Sequence, residues 1–125
     1  MPARGDVYFP KSTLPPSQQI PHRCVVLSPT NLISTQPNTT GNRFFVTVAI
    51  IRSAKHGNGA AVRPVMGHSI PIGPADLSCL THSSFVETHQ LFAVALDELT
   101  RNKHEGRIQG QLLDDILAGA RRLLT

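Results

Sequence analysis

This sequence predicts a mainly β domain with a C-terminal helix. We expect a small, curved, mostly antiparallel sheet or barrel, with the helix packed against one side. Short β-rich runs separated by turn-forming segments occupy residues 6–94, whereas apolar residues recur at helical spacing from residue 108 onward. No repeat or interdomain linker interrupts this order, and 125 residues are enough to bury one core. We therefore expect a single domain over residues 1–125.

The predicted strands cover residues 6–9, 23–27, 43–51, 62–65, 68–72, 84–87 and 90–94. The run 43–51 is the strongest because it is dominated by Phe, Val and Ile. Pro64 and Pro71 each lack a backbone N–H, so their runs suit only a sheet edge or a bulge. The sequence Gly57-Asn58-Gly59 predicts a hairpin turn after the strongest strand.

The C-terminal helix is predicted from the apolar spacing of residues 108–124, with charged and polar residues on the other face. Gly110 and Gly119 each lower its intrinsic stability by about 1 kcal/mol relative to Ala. We therefore expect this helix to form by packing on the sheet. A short helix over residues 96–100 is expected before it.

Charge is distributed unevenly along the chain, whose formal net charge is +4. Residues 1–70 hold seven Lys and Arg against one acidic side chain, a net charge of +6, whereas residues 71–125 hold five against seven, a net charge of −2. A basic half favours a polyanionic partner, and a solvated basic surface is the alternative interpretation.

Several classes of protein are disfavoured by missing motifs. Cys24 and Cys79 stand alone without CxxC spacing, and no HExxH sequence is present, so we expect no metal and no cofactor. P-loop, GxGxxG and GxSxG motifs are also absent. No apolar run approaches the ~18 residues of a membrane span, so we expect a cytoplasmic protein with no membrane partner.

The opening Arg4-Gly5-Asp6-Val7-Tyr8-Phe9, followed by a polar loop and then Arg23, resembles the start of MazF/PemK-type toxins of toxin–antitoxin pairs. The loop, residues 16–24, aligns with the family loop without a gap. A more diffuse match continues through residues 46–53, 84–86, Gln90 and 95–99. The resemblance implies an SH3-like barrel of the CcdB/PemK kind with a C-terminal helix, and a homodimer.

The resemblance also implies an activity, that of a toxin endoribonuclease that cleaves single-stranded mRNA at specific sequences without metal. In this reaction the 2′-OH attacks the neighbouring phosphate and leaves a 2′,3′-cyclic phosphate and a 5′-OH end. By position, Arg23 would stabilise the phosphorane, and either Ser53 or the adjacent Arg52 would orient the phosphate. A cognate antitoxin is expected to bind through an acidic or apolar disordered tail.

Further candidates complete the expected site. His22 adjoins Arg23, and a His that titrates near neutral pH is a candidate for moving the proton. The expected RNA-binding residues are Gln18, Gln19, Arg52, Lys55, His56 and Gln90.

The chain also departs from the family pattern. Cys24 stands where the family has Pro, Gln18 where it has Glu, and Ser53 where Thr is commoner. The alternative hypothesis is a catalytically degraded binding protein on the same fold. A gyrase poison of the CcdB type is a further version of it, but the chain ends without the aromatic residue on which that mode relies.

Overall fold

Strands and helices follow the predicted order in the computed structural model, which describes residues 2–9, 22–29, 45–55 and 57–124. The strands in these ranges are β1 (Asp6–Tyr8), β2 (Cys24–Val26), β3 (Phe45–Ser53), β4 (Ser69–Ile72), β5 (Ser84–Ala95) and β6 (His104–Arg107). The helices are α1 (Leu96–Thr100) and α2 (Gly110–Arg121), and a 3-10 turn, Arg122–Leu124, follows α2.

All of these strands join one curled, antiparallel sheet in the order β4-β5-β3-β2-β1-β6. The predicted mainly β class with a C-terminal helix is therefore confirmed. Within the described ranges no pairing joins the two edge strands, β4 and β6. Pro71 lies in β4, at an edge, as its missing N–H predicts.

The pairing of β3 with β5 forms the centre of the sheet. It runs from Phe45 opposite Ala95 to Ser53 opposite Ser84, and it contains a bulge between Val48 and Ile50. Because this bulge takes up the extra residues of β5, one long strand replaces the two predicted at 84–87 and 90–94, and that division was wrong.

Apolar side chains cover both faces of the sheet. One face carries Val7, Val25, Ala49 and Ile51 and packs against Ile116 of α2. The other face carries Tyr8, Val26, Val48 and Ile50 and packs against Leu99 of α1. Because successive side chains of a strand point to opposite faces, the sheet contributes to two hydrophobic cores, one packed against each helix. No helix in the described part of the chain has the length and apolar character that crossing a bilayer requires.

Two other predictions about strands were wrong. Residues 62–65 form no strand, because the hairpin after β3 closes with an isolated bridge between Lys55 and Ala61 and the chain then turns at Val65. The predicted Gly57–Gly59 turn itself is confirmed, with Gly59 at φ +85. Strand β6 was not predicted, since His-Glu-Gly-Arg shows no apolar alternation.

The Arg4-Gly5-Asp6 segment holds β1 against the residues at the end of β6. Gly5 has φ +94, and a Cβ there would collide with the carbonyl oxygen of Ile108. Asp6 is 2% exposed and accepts hydrogen bonds from the Ala3 N–H at 2.7 Å and from Arg107 Nε at 2.7 Å. The segment that carries the resemblance therefore has a structural task, which is to hold β1 against β6.

Candidate functional site

A cavity of about 800 Å³ opens beside the end of β3 and the bulged middle of β5. Its lining includes two cations, Arg52 and Lys55, and three histidines, His22, His82 and His89. We call it the main cavity. Its volume lies within the range of about 300–1,000 Å³ that is typical of ligand pockets.

A side cavity of about 130 Å³ lies next to it, lined by Arg23 and Phe9 among others. His22, Ser53 and His82 line both cavities. The two spaces therefore share a wall, and a chain-like ligand can contact Arg23 and the main cavity at once.

Arg23 lies immediately before β2, and its carbonyl oxygen accepts a hydrogen bond from the Ile51 N–H at 2.9 Å. This bond places residues 22–23 beside residues 52–53. The guanidinium stacks on the Phe9 ring, 4.8 Å from its centroid, and Nε donates to Glu105 Oε2 at 3.0 Å. The side chain keeps 30% exposure, so it is held in place but still reachable.

The surroundings of His22 shift its pKa. Burial lowers its pKa, and the positive charge of Arg52 lowers that pKa further. Its imidazole is therefore kept in the neutral form, which can accept a proton, at pH 7.

Ser53 is the last residue of β3, and its Oγ accepts a hydrogen bond from the Lys55 N–H at 3.3 Å. Successive side chains of a strand point to opposite faces of the sheet, so the side chains of Arg52 and Ser53 point in different directions. Both nevertheless line the main cavity, because the strand ends there.

The main cavity also contains a carboxylate that the sequence did not predict as part of the site. Glu87 is 5% exposed and accepts a hydrogen bond from Ser69 Oγ at 2.8 Å. His89 and Phe92 follow it along β5 and line the same cavity. Period-two alternation puts Glu87 and His89 on one face of β5, a signal that was missed because this strand was predicted as two. Phe92 joins them through the bulged register of β5 against β3.

The thiols lie close to Arg23 but are not activated. Burial raises the pKa of Cys24 to about 12. Burial and the neighbouring Glu105 carboxylate raise the pKa of Cys79, against the opposing charge of Arg23. Neither thiol is therefore suited to act as a nucleophile.

The candidates from the sequence thus meet in one region: Arg23 lines the side cavity, His22 and Ser53 line both, and Arg52, Lys55 and Gln90 line the main one. Gln18, Gln19 and His56 lie outside the described residues. Among the residues that are described, no group of three or more His, Cys, Asp or Glu side chains is arranged to hold a metal ion. The expectation of no metal and no cofactor stays a prediction.

Comparison with known proteins bears on the fold. No family model matches the sequence, and no curated protein matches it. Several solved structures do match. An endoribonuclease from Mycobacterial species, in complex with its cognate antitoxin, is 16% identical with a TM-score of 0.65, over 99% of this chain and 95% of that one.

Two further solved structures are similar to this chain over nearly its whole length. The toxin MazF-mt6 of Mycobacterium tuberculosis is 12% identical with a TM-score of 0.59, over 95% of both chains. A MazE-MazF structure from Deinococcus radiodurans is 14% identical with a TM-score of 0.61, over 98% of this chain and 94% of that one. At these identities the likeness establishes the architecture: the chain has the fold of the MazF toxins, as the resemblance in its sequence implied.

Proposed function

We propose that this chain is the toxin of a toxin–antitoxin pair and acts in the cytoplasm as a metal-independent endoribonuclease on single-stranded mRNA. The observation that carries the proposal is that Arg23 lines the side cavity while Ser53 and His22 line the wall that this cavity shares with the main one. The fold supports it, because the solved structures of the same architecture include endoribonucleases.

The proposed reaction begins with the 2′-OH of one nucleotide. Neutral His22 accepts its proton, the O2′–P bond forms, and the P–O5′ bond then breaks. The product is a 2′,3′-cyclic phosphate, and the leaving 5′ oxygen takes a proton from solvent. The sequence specificity of the cut comes from bases that enter the main cavity.

Arg23 has the central part in this proposal, since charge develops on the phosphorane. Its Nε donates a hydrogen bond to Glu105 at 3.0 Å, and the guanidinium stacks over the Phe9 ring. In the proposed complex, the N–H groups at the far end of the guanidinium donate to the phosphate oxygens. Ser53 Oγ donates a further hydrogen bond to the same phosphate.

We also propose a homodimer and a cognate antitoxin as partners. Two of the similar structures are described as complexes with an antitoxin or with MazE, which supports an antitoxin here. The basic excess of residues 1–70 suits an acidic tail as well as RNA.

A binding protein without catalysis is the second candidate. The Arg23–Glu105 ion pair favours this candidate, because a phosphate must compete for Arg23 with a carboxylate that is already paired with it.

The test is cleavage of single-stranded RNA by the purified protein in the presence of EDTA. We expect cutting, and we expect Arg23→Ala to reduce the rate by roughly 10²- to 10³-fold, as removal of other charge-stabilising donors does. Arg101→Ala, at an exposed arginine that lines neither cavity, is the matched control and should cut at the wild-type rate.

Full activity in a folded Arg23→Ala protein would contradict the proposed mechanism. Wild-type protein that binds RNA but does not cut it at high concentration would favour the second candidate. Circular dichroism and a thermal melt establish that each variant is folded.

A further inference from the structure

The main cavity carries one negative group in an otherwise basic or neutral lining. Glu87 is nearly buried, and the structure gives its Oε2 a hydrogen bond from Ser69. Arg52 and Lys55 line the same cavity but, as far as the described residues go, neither forms an ion pair with Glu87. A buried carboxylate is costly unless it is well paired, so its position calls for a function.

The hydrogen-bonding capacity of this carboxylate is largely unused. An ionised carboxylate offers about four lone-pair sites, and Ser69 occupies one. His89 Nδ1 lies 3.2 Å from Oε2, which makes an ion pair only with a protonated ring, and within the described ranges that buried ring nitrogen has no hydrogen-bond partner. No partner of the other oxygen, Oε1, is found there either.

Apolar surface lies within the same space. Phe92 and Ile50 line the main cavity together with Glu87. An aromatic ring beside hydrogen-bonding groups is the usual arrangement by which proteins hold an unstacked RNA base. Arg52 and Lys55 are then available for the flanking phosphates.

We propose that the main cavity is a guanine-binding subsite in which Glu87 reads the base of a single-stranded RNA, and this inference rests on the proposed function. The two carboxylate oxygens accept the N1–H and the N2 amine of guanine. Phe92 supplies the surface on which the base stacks.

Guanine is favoured because its Watson–Crick edge is the one that presents two adjacent donors. Adenine and cytosine each present a single exocyclic amine next to a ring acceptor, and uracil presents one N–H between two carbonyl groups. A carboxylate can only accept, so each of these three bases would place at least one acceptor against it.

The experiment measures binding of uncleavable RNA, so that it does not depend on catalysis. The probes are fluorescent 2′-fluoro heptamers whose central base is guanine, adenine, cytosine, uracil, inosine or 2-aminopurine, with flanks randomised over adenine, cytosine and uracil. Inosine lacks the N2 amine, and 2-aminopurine lacks the N1–H, so the two analogues remove one donor each while the protein stays wild type.

We expect the guanine pool to bind about tenfold tighter than the adenine pool, within the range that one bidentate side chain–base pair provides, with both analogues in between. Glu87→Gln should reduce the guanine preference to less than about twofold, since an amide presents a donor where guanine needs an acceptor. The amide oxygen of Gln can still accept from Ser69, so the variant keeps that contact. Asp114→Asn, an exposed acid on α2, is the matched control and should keep the full preference.

Equal binding of all six pools would overturn the inference, and so would a guanine preference that survives in Glu87→Gln. The proposed function is judged separately, by cleavage of ordinary RNA in EDTA. Cutting without guanine preference overturns the subsite alone, whereas guanine preference without cutting overturns the nuclease alone.

Discussion

At the scale of single residues, the surroundings of His22 favour the neutral imidazole that the proposed proton transfer requires. Burial disfavours its charged form, and the Arg52 charge acts in the same direction, so the pKa lies below the ordinary 6.5. A general base is useful only while it is unprotonated, and this shift extends its working range toward acid.

We expect the rate of RNA cleavage to rise with pH along an acid limb whose midpoint is below 6.5 and then to level off. Arg52→Gln removes the second cause of the shift, so its acid limb should move to higher pH. The measurement is kcat/KM against pH for both proteins, with an NMR titration of the His22 ring in the free protein. A midpoint that Arg52→Gln leaves unmoved would show that the limb belongs to another group.

The candidate site residues that could be predicted from the sequence lie next to strands whose apolar pattern is strong. Arg23 and Ser53 come together because β2 pairs with β3, and both strands are strongly apolar. Glu87 and Glu105 were missed for a physical reason. Each is a lone carboxylate whose neighbours are fixed by a bulge or by an edge pairing.

At the scale of elements, α2 packs on the sheet through a residue with no side chain. A Cβ at Gly119 would collide with Thr88 Oγ1 and would lie 3.3 Å from the Gly67 carbonyl oxygen. Thr88 is fully buried and donates to the His68 carbonyl oxygen at 2.9 Å, so it has little room to move. The glycine that weakens the helix on its own therefore allows its close contact with β5.

Gly119→Ala should accordingly destabilise the protein even though Ala is the better helix former. The propensity gain is about 1 kcal/mol, and the overpacking cost is about 1–3 kcal/mol, so we expect a net loss of about 1 kcal/mol in the free energy of unfolding. Urea denaturation measures it. Gly73→Ala is the control, because its Cβ would meet nothing within 4 Å, and it should be neutral or slightly stabilising. Equal stability of the two variants would contradict the packing argument.

Asp6 also acts between elements, because its side chain links β1 to β6. Burial alone would raise its pKa, but hydrogen bonds from Arg107, from the Ala3 N–H and from His104 together hold that pKa below its ordinary 3.8. The carboxylate is therefore more stable ionised in the folded state than in the unfolded one. Its stabilising contribution is complete above pH 3.8 and is lost as the pH falls through the lowered folded value.

We expect Asp6→Asn to lower the free energy of unfolding by about 2 kcal/mol at pH 7, since the charged acceptor of three hydrogen bonds is lost. The difference from wild type should shrink as the pH falls below 3.8. Urea titrations at a series of pH values measure it. A difference that is constant down to low pH would mean that the carboxylate charge has no part in holding the two strands.

Elements with a strong period were predicted, and those that depend on partners were not. The apolar runs of β2 and β3 and the helical spacing of α2 are properties of the sequence itself. Strand β6 has no apolar alternation and forms because β1 offers it an edge and Asp6 holds its Arg107. Residues 62–65 have strand-like composition, but Pro64 and the turn at Val65 leave them no ladder to join.

At the scale of the whole molecule, the uneven charge of the sequence reappears at the candidate site. Within the described residues, the cationic side chains that line the two cavities are Arg23, Arg52 and Lys55, and all three come from the basic part of the chain. An acidic antitoxin tail and an RNA would both be attracted to this surface. We therefore expect the two partners to exclude each other there.

The salt dependence of RNA binding tests this collective charge. For a single strand, log K falls with log salt by about 0.7 for each phosphate neutralised, so three cations predict a slope of about −2. Arg52→Gln should reduce the slope to about −1.4, whereas Arg101→Gln, which lines neither cavity, should leave it unchanged. Fluorescence anisotropy with an uncleavable single strand at a series of salt concentrations measures both. If Arg101→Gln lowered the slope as much as Arg52→Gln, RNA would be attracted by the general positive charge of the surface and would not be bound at the cavities.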